Sequence, residues 1–138
     1  MKIGVSSYSF NGYVKHTGAD YFELCDIAKE IGYDGIEFTD LVGTDDPIGL
    51  AGRIREHCAK IGLDVISYTV GANFLTKDVE AEIERLKGCV DVAEALGAKV
   101  MRHDACYGYE GHVHARTYRD AIAQIAGPIR RVSEYAAA

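Results

Sequence analysis

Residues 28–40 read Ala-Lys-Glu-Ile-Gly-Tyr-Asp-Gly-Ile-Glu-Phe-Thr-Asp. The order is a helix end, a glycine stop, a short apolar strand and a polar strand end. The phrase returns at residues 59–70, Ala-Lys-Ile-Gly-Leu-Asp-Val-Ile-Ser-Tyr-Thr-Val, and at residues 95–105, Ala-Leu-Gly-Ala-Lys-Val-Met-Arg-His-Asp-Ala. The stop glycines Gly32, Gly62 and Gly97 recur at intervals of roughly 30 to 35 residues, the length of one strand-plus-helix unit. Strand and helix signals alternating at that period predict a parallel sheet with right-handed crossovers.

Outward from these stretches, strands are expected over residues 2–8, 34–39, 63–69 and 98–103. In the first, Ile3 and Val5 alternate with Gly4 and Ser6. In the second, Ile36 and Phe38 share one face, and Gly35, Glu37 and Thr39 share the other. Large residues on one side and small ones on the other suit a strand with helices outside and a crowded interior. Four helices are expected. The first starts at Asp20 with Glu23 as a capping box and carries the stripe Leu24, Ile27, Ala28 and Ile31. Asp46-Pro47 starts the second, whose stripe is Leu50, Ile54, Cys58 and Ile61. The third begins at Thr76 with Val79, Ile83, Leu86, Val90 and Ala93. The fourth is capped by Thr117 with Asp120 and carries Ile122, Ile125, Ile129 and Val132, with a kink or restart expected at Gly127-Pro128. Residues 9–20 and 104–116 read as loops. Four strands and four helices in strict alternation, with no linker, make residues 1–138 a single α/β domain of four βα units.

The totals narrow the function classes. With 138 residues the chain can bury one real core. No apolar run approaches the roughly 18 residues of a membrane span, and the N-terminus, one lysine followed by a strand, does not read as a signal peptide. A net charge of −6 argues against nucleic acid. Cys25, Cys58 and Cys89 fall within helical patterns, and no Cys-x-x-Cys pair occurs. They read as small core residues in a reducing cytoplasm rather than disulfide partners. Cys106, beyond the fourth strand, reads as a packed thiol rather than a nucleophile. Dinucleotide, phosphate-loop and serine-hydrolase signatures are missing.

A closed eightfold barrel takes about 250 residues. Four βα units therefore supply half of a (β/α)8 TIM barrel, with parallel strands and outer helices. The first and fourth strands would be left as open edges, so self-association into a homo-oligomer is expected.

Four pieces in this order resemble the N-terminal half of the sugar phosphate isomerase/epimerase superfamily, the xylose-isomerase-like TIM barrels. They are Lys-Ile-Gly-Val-Ser-Ser-Tyr-Ser-Phe at 2–10, Ile-Gly-Tyr-Asp-Gly-Ile-Glu-Phe at 31–38, Ile-Gly-Leu-Asp-Val at 61–65 and Leu-Gly-Ala-Lys-Val-Met-Arg-His at 96–103. The resemblance covers essentially the whole chain. It implies proton transfer on a ketose or aldose, a small-molecule sugar substrate in the full-length form, and a divalent metal (manganese, magnesium, cobalt or zinc). The family's metal ligands lie mainly on later strands. This chain by itself is therefore expected to lack most of them, and to be inactive.

Glu37 is the leading candidate, because a carboxylate on the small-residue face of a strand points inward and needs a partner. It reads as catalytic or substrate-holding, or as an ion pair with Arg102. His103 is a second catalytic candidate. It falls where the related abasic-site endonucleases carry a metal-binding histidine, which makes it a possible metal ligand here. Whether Arg102 or His103 points inward stays open. Tyr8, Phe10, Tyr68, Arg102 and Asp104 are candidate substrate contacts at strand ends. Glu110, His112 and His114 have the composition of metal ligands on a loop, and His16 and His57 read as surface residues. Two other readings compete: a non-catalytic half-barrel that self-associates, and an abasic-site endonuclease-like DNA repair protein, which the acidic balance disfavours.

Overall fold

The computed structural model describes residues 1–109 and 117–138. Its strands are β1 (Gly4–Ser6), β2 (Gly35–Thr39), β3 (Asp64–Val70) and β4 (Met101–His103). Its α-helices are α1 (Asn11–Thr17), α2 (Tyr21–Ile31), α3 (Pro47–Ile61), α4 (Val79–Leu96) and α5 (Tyr118–Ala136), and a 3-10 turn spans Ser7–Phe10. The strands form one sheet in the order β1-β2-β3-β4, and the β1–β2 and β2–β3 pairs are parallel. The chain divides into two compact units: Met1–Val70 with Asp91–Arg102, and Gly71–Val90 with His103–Ala138.

In the first unit, Ile36 and Phe38 are fully buried together with Leu24, Cys25 and Ala28 of α2 and Leu50, Ala51, Ile54 and Cys58 of α3. Burying such side chains contributes about 1.5–3 kcal/mol each for the large ones. The helix ends follow the local chemistry. Asp20 accepts from the Phe22 and Glu23 amides while Glu23 reaches back to the Asp20 amide, which closes the capping box of α2. Gly32 and Gly62 end α2 and α3 with φ of 104° and 71°, a left-handed conformation that favours glycine.

The opposite face of β1 and β2 is crowded by one residue. A Cβ at Gly35 would lie 2.7 Å from Ile66 Cγ1 and 2.8 Å from the Asp64 carbonyl oxygen, and one at Gly4 would run into Ile66 Cδ1. The β2–β3 register explains how Ile66 gets there. Ile36 pairs with Val65, but Glu37 pairs with Ser67, so Ile66 is an extra residue in β3. Such a bulge breaks the alternation and puts Ile66 and Ser67 on the same face.

Two expectations need correction. Residues 9–20 are not a plain loop: the 3-10 turn and α1 occupy Ser7–Thr17, and Gly18 ends α1 at φ 77°. No residue of α1 is buried, so it carries no apolar stripe for a periodicity argument to detect. The count of four helices falls with it. Of the kink or restart expected at Gly127-Pro128, the restart does not occur, since α5 runs through Pro128 as one element. Proline removes a single i→i−4 bond there, and the capping box of Thr117 and Asp120 secures the start of the helix.

In the second unit, Ile83 and Leu86 of α4 are buried with Ala72, Phe74 and Leu75 of the preceding segment, as is Val132 of α5. Glu82 accepts from the Asn73 amide at 2.7 Å, and Arg85 donates to Glu82 and to the Gly71 carbonyl. Arg131 of α5 holds Glu80 of α4 through two bonds of 2.6 and 2.7 Å.

Candidate functional site

The polar cluster of the first unit is built around Glu37, which lies between Ile36 and Phe38 in β2. Alternation along β2 forces Glu37 to the side away from the core. The bulge in β3 brings Ser67 level with it, and Thr69 follows two residues on. Both hydroxyls donate to the same carboxylate oxygen: Ser67 Oγ to Glu37 Oε2 at 2.8 Å and Thr69 Oγ1 to Glu37 Oε2 at 2.9 Å. Nearby, Ser7 is buried; its Oγ accepts from the Thr39 amide at 3.0 Å and lies 3.3 Å from Thr39 Oγ1.

The inward residue of β4 follows from one bond. Tyr68 N donates to the Val100 carbonyl at 3.0 Å. In a parallel ladder that sets Met101 beside Tyr68 and Arg102 beside Thr69. Arg102 therefore shares the face of Thr69 and Glu37, and its charge acts on Glu37. His103, the next residue, turns the other way. In the second unit its ring stands edge-on to the buried Phe74, with centroids 5.9 Å apart, and its Nδ1 donates to the Asp104 carbonyl at 2.7 Å. That bond puts the proton on Nδ1 and leaves the neutral ring's lone pair on Nε2.

Partial burial pushes the Glu37 carboxyl up. Hydrogen bonds from Ser6, Ser67 and Thr69, with the Arg102 charge, outweigh it and hold the group below the usual carboxylate range. Glu37 is thus ionised at neutral pH. A general base works best with a pKa near the working pH. A carboxylate held low is better suited to accept hydrogen bonds and to supply fixed charge.

The remaining candidates are dispersed. Tyr8 stands in the 3-10 turn with 68% of its surface exposed, and Phe10 at the end of that turn is half-buried. Tyr68 is buried in the first unit, on the Ile36 and Phe38 side of the sheet, and its hydroxyl accepts from the Leu41 amide at 3.5 Å. It packs the core rather than lining the face that carries Glu37. Asp104 and Cys106 are half-buried. His57 is not a plain surface residue: its Nε2 lies 2.7 Å from Asp26 Oδ1 and its ring is edge-on to Phe22. Glu110, His112 and His114 lie outside the described residues.

Sequence reasoning missed Ser6, Ser67 and Thr69. The signal was present for Thr69 and Ser67 as hydroxyls in an otherwise apolar strand, but it took the β2–β3 register to aim them at Glu37. Among the described residues, no three His, Cys, Asp or Glu side chains come together to hold a metal ion. These residues do not by themselves fit a divalent metal site.

The family model described as "Xylose isomerase-like TIM barrel" matches residues 25–138. No curated protein sequence matches the chain. Among solved structures, it is similar to D-psicose 3-epimerase from Clostridium cellulolyticum H10, crystallised with D-tagatose, at 15% identity and a TM-score of 0.68, covering 99% of this chain and 49% of that one. A D-allulose 3-epimerase from Methylomonas sp. in complex with D-allulose gives 22% identity, a TM-score of 0.68 and coverages of 99% and 48%. An L-ribulose 3-epimerase gives 24%, 0.67 and coverages of 99% and 46%. At these identities the likeness is one of fold. The chain spans about half the length of the structures it matches.

Proposed function

The chain belongs to the xylose isomerase-like TIM barrel family, and on that footing we propose that it is the N-terminal half of a sugar or sugar phosphate isomerase/epimerase. The carrying observation is the ionised Glu37, clamped by Ser67 and Thr69 on the inward face near the C-terminal ends of the strands. That end of the barrel is where enzymes of this architecture place their substrates. Epimerisation next to a ketose carbonyl removes a proton from one face of a carbon and returns it to the other. In this reading Glu37 accepts a hydrogen bond from a sugar hydroxyl, and Arg102 donates to a sugar or phosphate oxygen. The groups that move the carbon-bound proton, and the divalent metal expected for the family, are assigned to residues outside those described.

The test is made on the purified chain with D-allulose, by saturation-transfer NMR for binding and by product analysis with added manganese for turnover. Expected are a saturation-transfer signal that weakens in Glu37→Gln, and no epimerisation. Absence of any signal for the native chain would overturn the substrate-holding role. Turnover would overturn the assignment of proton transfer to residues elsewhere.

A second reading rests on the strand edges. Among the described residues β1 and β4 each pair on one side only, and Ile3, Ile66 and Val100 are exposed at 51%, 43% and 60% in the first unit. In this reading a second copy closes the ring about a two-fold axis, with no catalysis required. Light scattering decides it: a dimer mass supports it, and a monomer at high concentration removes it.

A further inference from the structure

Cys25 of α2 and Cys58 of α3 are both buried, and their sulfurs lie 3.5 Å apart. They are free thiols. The residues beside them reinforce the juxtaposition. Asp26 follows Cys25, His57 precedes Cys58, and the Asp26–His57 contact of 2.7 Å ties the same two helices together. Cys58 also lines a cavity of about 590 Å³ at the N-terminal ends of β1, β2 and β3, with Gly4, Gly35, Arg55 and Asp64 among its other walls. That cavity lies at the opposite end of the strands from Glu37. Cys58 is the member of the pair that borders this cavity.

We propose that Cys25 and Cys58 are a redox-sensitive dithiol that hydrogen peroxide converts to a disulfide between α2 and α3. A disulfide needs sulfurs about 2.05 Å apart, so the two helices have only a short approach to make. The cavity sets the order of events. Cys58 borders it and Cys25 does not, which makes Cys58 the attacking thiol. Its thiolate attacks the peroxide, an S–O bond forms, the O–O bond breaks and hydroxide leaves, giving a sulfenic acid. The Cys25 sulfur then attacks the sulfenic sulfur, the S–S bond forms, and the oxygen leaves as water with the Cys25 proton. In sum two thiols lose two electrons and two protons, and one peroxide becomes two waters. A dithiol reductant reverses the step by exchange.

The experiment uses the native chain, fully reduced and then exposed to hydrogen peroxide. Remaining thiols are blocked with N-ethylmaleimide at acidic pH, and the protein is digested with trypsin. The expected product is a disulfide-linked pair of peptides 16–29 and 56–60, with loss of two of the four titratable thiols and their recovery on adding dithiothreitol. In Cys25→Ser the linked pair disappears and dimedone traps a sulfenic acid at Cys58. The proposal is overturned if peptides 16–29 and 56–60 are both recovered alkylated after Cys89 and Cys106 have oxidised. It is overturned equally if Cys58 links mainly to Cys89 or Cys106.

Discussion

Replacing Glu37 by glutamine tests the central electrostatic claim. The substitution keeps the shape of the side chain and its ability to accept a hydrogen bond, and removes the charge. In the native chain Ser67 and Thr69 donate to one ionised oxygen at 2.8 and 2.9 Å. A hydrogen bond to a charged group contributes about 1.5–3 kcal/mol against about 1 kcal/mol for a neutral one. Two such bonds put the difference at about 1–4 kcal/mol. Glu37 is half-exposed, and solvent screening brings the expected loss to about 1 kcal/mol. With a urea slope of about 2 kcal/mol/M, the unfolding midpoint should fall by about 0.5 M at pH 7. The pH dependence carries a sign. The folded-state pKa of Glu37 is lowered, so its contribution is complete above the unfolded carboxyl value, about 4.3, and is lost as pH falls through the folded value. The gap between native chain and variant should therefore narrow as the pH is taken from about 5 toward 3. Urea titrations followed by circular dichroism at several pH values read both quantities. A variant as stable as the native chain at pH 7, or a gap that does not change with pH, would refute the account of Glu37 as an ionised, hydroxyl-clamped group.

Two further perturbations bear on the packing that positions it. Gly4→Ala should lower stability by about 0.5–1.5 kcal/mol, because its Cβ meets Ile66 Cδ1 and pushes the end of that side chain off its rotamer. Adding Ile66→Val removes that atom and should restore most of the loss; a double variant no more stable than Gly4→Ala would show that Ile66 is not what crowds this face. Phe38→Ala, at a fully buried position against which Tyr21 stands edge-on at 6.3 Å, should cost about 3–5 kcal/mol in urea unfolding, and a loss below about 1 kcal/mol would contradict its place in the core.

The repeating βα plan was legible in the residues themselves, because each signal in it is local. Asp20 with Glu23, Asp46 before Pro47, and Thr117 with Asp120 cap helices through atoms three residues apart. The glycines that follow the helices adopt left-handed turns that a side chain would strain. Alternation along β2 separated Ile36 and Phe38 from Glu37 because successive strand residues must face opposite ways.

What the site contains was settled by pairing between strands, which no local pattern encodes. The extra residue in β3 put Ser67 against Glu37 and Ile66 against Gly4 and Gly35. The bond from Tyr68 to Val100 decided that Arg102, and not His103, faces inward. The same register turned Tyr68 into the core and away from the Glu37 face. The meeting of Cys25 with Cys58 has the same origin, two helices laid side by side by the sheet beneath them. A strand's own residues say which of them share a face. Only the partner strand, offset here by a bulge, says what each of them will touch.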